Sequence, residues 1–405
     1  MWPVSAKELR VQLMALTIVT WGFAAFNAST PGMYYRTGQI KGADFIHFYV
    51  LGSLAAEGRG DLLFDAQAQR AQQSRLVPVS EVYRYIPIYG PQTAIVFAGF
   101  GRLPYLWAAL GWAALTTLLY GTCVWAVWRK CPALLAHRQL VALAAVGFTP
   151  FYTLIVCGQT SVLPLVCVTL GYLAFRADRK WWAGVALGSL VFKPQLGVAV
   201  AVVMAARREW RVIGGAIAAI AAQWGLSVLI LGSGPLLAYF DMIRQGAHLA
   251  VLLEPRADLL HSLRAFWTLL FPQSSVAPAL YLLTSAVVLT MAVRLWHASV
   301  QLETRFSGLI LATVLVSPHL GGYELVLLAP ALILTAGEAE RSTGRPRRLL
   351  RVLLCFAYLA PLTGPLTATT HLQLSVPVMA AWLVALHWTA FRSTAGSTTA
   401  QPADA

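Results

Sequence analysis

Five polar side chains stand apart in a chain that is otherwise largely hydrocarbon: Asp44, Gln159, Lys193, Gln195 and His319. Together they offer one carboxylate, one ammonium, one imidazole and two amides. Hydrolysis of a glycosidic bond usually asks for two carboxylates, one of which protonates the leaving oxygen. The sequence places no second carboxylate next to Asp44. A transfer whose leaving group is a phosphate needs only one, because phosphate departs as a stable anion. Such a site must supply a base for the attacking hydroxyl and cations for the phosphate. Asp44 fits the base and Lys193 fits a compact point charge for phosphate. His319 fits either a phosphate or sugar contact or a hydrogen-bonding residue at a helix end. Asp44 and His47 are three residues apart and would share a helix face, a spacing compatible with a divalent ion. Two ligands do not make a metal site, and no metal is assigned. The plainer alternative for Asp44 is a cap on a helix that begins near Phe45.

The elements that must position these residues follow from composition. Of 405 residues, 58% are hydrophobic and 11% charged, where a soluble domain carries about a quarter charged. The chain is therefore expected to be an all-α polytopic membrane protein. The net charge of +14 sits mostly in short basic clusters between apolar runs, the pattern of cytoplasmic loops. It is not an aromatic-interleaved groove, and no nucleic-acid partner is expected. The five cysteines have neither metal-ligand nor disulfide-framework spacing. Lys7 and Arg10 precede an apolar run from Val11 to Ala28 without an Ala-x-Ala exit, which reads as a first transmembrane helix with a cytoplasmic amino end rather than a cleaved signal.

Taken in order, residues 31–90 form a polar first outer loop. An amphipathic helix around Phe45–Gly52 is expected to lie on the membrane surface, and a second helix runs from Asp65 to Leu76. The stretch 86–103, rich in Pro and Gly, reads as a re-entrant piece. Spans follow at Leu106–Trp128, Leu140–Cys157 and Val162–Phe175. Between Arg179-Lys180 and Arg207-Arg208 both ends are basic, and each half around Phe192-Lys193-Pro194-Gln195 is about 18 Å of helix, too short for a core of about 30 Å. A hairpin of two half-length helices with Lys193 at its tip satisfies both facts. One span kinked at Pro194 is the alternative. Residues 232–277 form a second outer loop, further apolar runs follow from Ala279 to Trp388, and residues 393–405 read as a disordered cytoplasmic tail. The count is about twelve crossings plus the re-entrant piece, in one integral-membrane domain over residues 1–392. Asp44, Gly158-Gln159, Lys193–Gln195 and His319 then all fall on the non-cytoplasmic side, converging on one cavity. No internal repeat is visible.

Gly42-Ala43-Asp44-Phe45 with Tyr49, Leu63-Phe64-Asp65, Tyr89-Gly90-Pro91, Gly158-Gln159 with Ser161, Lys193-Pro194-Gln195, His261-Ser262-Leu263, and Ser317-Pro318-His319 with Tyr323-Glu324 together resemble glycosyltransferase family 87. Members are polyprenol-phosphate-sugar-dependent membrane enzymes of the GT-C fold. The pattern covers about Leu9 to Trp388. Phe64 stands where Tyr is usual, Tyr89-Gly90-Pro91 lacks a double proline, and one histidine precedes Gly-Gly. The resemblance implies inverting transfer of a hexose, commonly mannose, from a polyprenyl phosphate to a lipid or glycan acceptor, with Asp44 as general base. It implies no cofactor and no nucleotide-sugar site, the donor being a lipid-linked sugar phosphate. On this reading Lys193, with Arg84 or Arg256, would hold the phosphate, Tyr49, Tyr89 and Tyr323 would face the sugar, and Gln159, Gln195 and His319 would line the substrate. The expected location is the bacterial inner membrane, multi-pass, with the active site facing the periplasm or exterior. The competing class is a transporter or flippase of lipid-linked sugars using the same cavity.

Overall fold

A computed structural model of the chain describes residues 6–77, 79, 89–245, 256–272 and 275–397. Arg84 and the tail beyond 397 lie outside them. Among the described residues the structure is helical, with two isolated β-bridges, Tyr34 to Ile40 and Leu260 to Gly321. Five helices are long and apolar enough to cross a membrane. They are α1 (Ala6–Ala28), α5 (Tyr105–Trp128), α11 (Trp210–Leu231), α14 (Val276–His297) and the run Gly322–Arg341, a 3-10 turn continuing into α16 (Leu328–Arg341). Their exposed apolar faces, such as Ile18, Trp107, Ile217, Leu229 and Leu282, are the surface a bilayer would cover. The chain is a membrane protein.

Many of the twelve expected crossings correspond to shorter or interrupted helices. The expected span from Leu140 to Cys157 is two helices, α6 (Arg138–Val146) and α7 (Thr149–Cys157), bent by 44° across the break. Gly147 and Pro150 explain the break: glycine weakens the first helix at its end, and proline is tolerated only in the first turn of the next. α8 (Val162–Arg176) has 15 residues. The stretch from 89 to 103 contains only the six-residue α4 (Gln92–Phe97) and a 3-10 turn at Phe100–Arg102, far too short to cross.

The first outer loop corrects one expectation. α2 (Phe45–Ala56) does not lie on a membrane surface; Phe45 through Leu54 are all buried. Its sequence is apolar on every face, and a helix of that kind goes to the core. It packs against α4, the 3-10 turn after it, and α3 (Ala66–Leu76). The approach is backbone to backbone: a Cβ on Gly52 would sit 2.3 Å from the Phe97 carbonyl, and one on Gly101 would sit 2.4 Å from the Ser53 nitrogen. Phe45, Phe97, Phe100, Tyr105 and Trp112 close around the start of the helix as one aromatic cluster. α3 starts where expected, with Asp65 capping the Gln67 and Ala68 amides.

The hairpin forms. α9 (Lys180–Gly188) leads through 3-10 turns around Lys193 to α10 (Val198–Ala206), and α11 follows at once. Lys180 Nζ is 3.0 Å from Glu209 Oε2, so the two ends of the segment meet at one level. A single kinked span would hold those ends a membrane apart. α9 lies in close contact with α11, where Cβ atoms on Gly184 and Gly215 would come within 2.0 and 2.1 Å of opposing carbonyls. α15 (Leu302–Val316), charged only in its first turn at Glu303 and Arg305 and mostly apolar beyond it, has 13 of its 15 residues buried. α17 (Gly344–Leu359), the short α18 (Gly364–Thr370) and α19 complete the bundle; α19 (Ser375–Ser397) carries regular helix four residues past the expected start of the disordered tail at Ser393.

Candidate active site

Asp44 occupies the cap position of α2, but its side chain makes no capping hydrogen bond. The backbone around it is held by others. The Asp44 amide donates to the Cys157 carbonyl at 3.0 Å, and the Tyr105 hydroxyl contacts the Lys41 and Gly42 carbonyls at 2.9 and 2.8 Å. Gly42 is left-handed with φ +66°. The carboxylate is thus spared structural duty at the helix end. It instead accepts from Gln159 Nε2 at 2.9 Å.

Gln159 reaches this position because α7 ends in a left-handed glycine, Gly158 (φ +72°), whose C-terminal turn also engages the Gln159 amide. A Cβ on Gly158 would lie 2.7 Å from Phe45 Cβ, so only glycine lets α7 and α2 meet here. The Thr160 amide donates to Gln159 Oε1 at 3.3 Å, which leaves the NH2 end of the amide to face Asp44. Burial pushes the Asp44 carboxyl above the usual carboxylate range, and the Gln159 hydrogen bond and the Lys193 charge pull partly against it.

Lys193 sits at the hairpin tip between two 3-10 turns, and it is buried. Its ammonium is 2.9 Å from Glu324 Oε1, with both side chains 2% exposed, and 3.4 Å from Ser161 Oγ. The rings of Tyr89 and Tyr323 lie 5.3 and 5.9 Å from it. Glu324 is held on its other oxygen by the Gly321 amide at 2.8 Å. Tyr89 and Tyr323 lie within electrostatic reach of both Asp44 and Glu324. Glu324 brings a second carboxylate to Lys193.

Asp44, Gln159, Lys193, Tyr89 and Tyr323 are therefore brought together, from segments far apart in the chain. The other candidates stand in different surroundings. The Tyr49 hydroxyl donates to the Leu103 carbonyl at 2.7 Å, and its ring is buried against Phe45 and Tyr105. Both its hydroxyl and its ring are engaged in packing. Arg256 is engaged by Asp258 through two hydrogen bonds of 3.0 and 2.8 Å at the exterior. Gln195 is half-buried in the turn beside Lys193 and takes no part in these hydrogen bonds. The His319 turn is clamped by the second outer segment: the His261 amide donates to the Leu320 carbonyl at 2.8 Å, and Ser262 Oγ contacts the Pro318 carbonyl at 3.4 Å. His261 is buried, 2.7 Å from Ser375 Oγ, and its pKa is pushed down to about 4 by that burial.

Glu324 is the residue the sequence reading passed over. The signal was present: Glu324 is the sole acidic residue between Arg305 and Glu338, as Lys193 is the sole ionisable one between Lys180 and Arg207. Lone opposite charges in two apolar stretches are candidates for each other.

A half-buried carboxylate with an elevated pKa, fixed by an amide and lying near a buried cation, can take a proton from an alcohol. No curated protein and no solved structure matches the chain. The profile of the family described as glycosyltransferase family 87 matches residues 88–318, more than half of the sequence, covering Tyr89, Gln159 and Lys193 and beginning after Asp44. The chain belongs to glycosyltransferase family 87.

Proposed function

We propose that this family 87 membrane glycosyltransferase transfers a hexose, mannose in the first instance, from a polyprenyl phosphate to a hydroxyl of a lipid or glycan acceptor, with inversion. The observation that carries this reading is the Asp44 carboxylate, free of its helix and aimed instead at Gln159 within reach of the Lys193 field. The acceptor O–H gives its proton to Asp44 while its oxygen bonds to C1 of the sugar. The C1–O bond to phosphate breaks on the opposite face, and the electron pair leaves with the polyprenyl phosphate. No general acid is needed, consistent with Glu324 being bound to Lys193 and the Gly321 amide rather than poised as a proton donor.

Lys193 is the cation for the departing charge. Its 3.4 Å contact with Ser161 is the weakest of its bonds and the one a phosphate oxygen would replace. Tyr89 and Tyr323 border the same space and supply ring faces for the sugar. The isoprenoid tail stays in the bilayer, and no cofactor takes part. The site faces the periplasm or exterior of a bacterial inner membrane, the basic clusters at the other end being cytoplasmic.

Membrane vesicles supplied with radiolabelled polyprenyl-phosphate mannose and candidate acceptors test this. Transfer to acceptor is expected with the wild type and lost with Asp44→Asn, while donor binding persists. Movement of the lipid-linked sugar across the membrane without a new glycosidic bond, retained in part by Asp44→Asn, would instead establish a flippase.

A further inference from the structure

The end of the molecule away from Asp44 holds a second built site. α8 separates the two: Ser161, just before its first turn, touches Lys193, and Arg176 ends it, a rise of about 22 Å. Around Arg176 lies a cavity of about 520 Å³ lined by Arg176, Asp178, Lys180, Glu209, Trp296 and Arg305 among others. Two of its cations are answered locally. Arg176 pairs with Glu303, and Lys180 with Glu209 at 3.0 Å. Arg305 has no carboxylate within ion-pair distance among the described residues. Arg207, close enough to repel it, is 3.2 Å from His297 Nδ1 instead. Asp178 stands exposed at the rim.

The hydrogen-bond accounting points the same way. In the cavity lining, Arg305 Nε and the Trp296 indole Nε1 are buried without an acceptor, and so is Arg207 Nε beyond that lining. Trp296 is 3% exposed, and the Arg305 guanidinium lies 5.6 Å from its ring centroid. All three orphaned groups are donors. Buried donors without acceptors are costly, and two adjacent guanidiniums more so. An acceptor carrying negative charge answers both deficits. The exposed indoles of Trp181 and Trp182 line an adjoining cavity that shares Asp178 and Lys180, as tryptophans do at the level of lipid headgroups.

We propose that this cavity binds a phosphate-bearing anion, and that its source is the headgroup of an anionic phospholipid in the leaflet at that end. The test uses the purified full chain in nanodiscs of phosphatidylcholine alone, of phosphatidylcholine with phosphatidylglycerol, and of phosphatidylcholine with added inorganic phosphate. Thermal unfolding and native mass spectrometry are read for each. Phosphatidylglycerol is expected to raise Tm and to remain bound, and Arg305→Gln to weaken that retention by about tenfold. Trp296→Phe keeps the packing and removes one donor; it is expected to weaken retention less, and it carries the test if Arg305→Gln does not fold. Equal stabilisation by inorganic phosphate supports the phosphate site and overturns the lipid as its source. Equal retention of phosphatidylglycerol by wild type and both variants, or none by the wild type, overturns the proposal.

Discussion

The two ends of the α8–α9 pair are both built from ion pairs, yet they leave opposite remainders. Near Asp44 the pair is Lys193 with Glu324, both 2% exposed, and after it cancels, a carboxylate is left over. Near Arg176 the pairs are partly open, with Arg176 and Lys180 38% and 39% exposed, and after they cancel, guanidiniums are left over. The first end can take a proton, and the second can take an anion. Burial also differs. A charge pair out of water is held by its partner alone, whereas a half-exposed one is also served by solvent.

The sharpest way to break this contrast is Asp44→Asn. A general base contributes roughly 10²- to 10⁴-fold, so single-turnover sugar transfer should fall by about that factor with donor affinity kept. A loss under about tenfold would mean the leftover carboxylate is not the base. Next comes Glu324→Gln, which strands a buried ammonium. It should cost about 3–5 kcal/mol in thermal unfolding, and Lys193→Met combined with Glu324→Gln should recover part of it. Glu303→Gln, whose partner Arg176 is solvated, should cost roughly 1 kcal/mol or less. Equal losses at the two ends would erase the distinction.

Gly158→Ala comes next, with a left-handed backbone cost of about 1–2 kcal/mol. It also pushes Phe45 away from the end of α7 and so strains the neighbouring Asp44–Gln159 bond; transfer should drop more than stability does. The pH profile gives a smaller effect. Burial holds the Asp44 carboxyl above its unfolded value, so the folded chain keeps that proton longer. The contribution favours folding at low pH and is lost as pH rises through the folded pKa; transfer, which needs the ionised form, moves oppositely. Gln159→Leu removes a bond that lowers the pKa, so the acid limb of the transfer-rate profile should shift to higher pH. An unmoved limb would assign it to another group. Arg256→Ala should leave the donor KM unchanged within about twofold, because Asp258 already holds that guanidinium at the surface.

The convergence of Asp44, Gln159 and Lys193 was legible because basic residues at 179–180 and 207–208 fixed the parity of the hairpin between them. The closing contact, Lys180 to Glu209, links residues 29 positions apart, a short enough separation for composition to reveal. Glu324 was harder to read as Lys193's partner, because that pairing spans 131 residues and the one signal is that each charge stands alone in its apolar stretch. The surroundings of Tyr49 were not legible for a related reason. Its place in a motif beside Asp44 says nothing of which way a helix turns its faces, and α2 turns this one into the aromatic cluster around Phe45. The count of crossings was harder still, since Gly147 and Pro150 divide one apolar run into two bent pieces that hydropathy alone joins.

The half-length arms of the hairpin have a consequence for side reactions. With its base tied at Lys180 and Glu209, each arm rises about 20 Å, so a hairpin entering at one face of a bilayer core of about 30 Å would end inside it. An activated sugar held there, as proposed above, would meet only the solvent that the protein admits. Adventitious hydrolysis, which would waste the donor, is then set by how closely the acceptor fills the space above residue 193, and small acceptors should leak most.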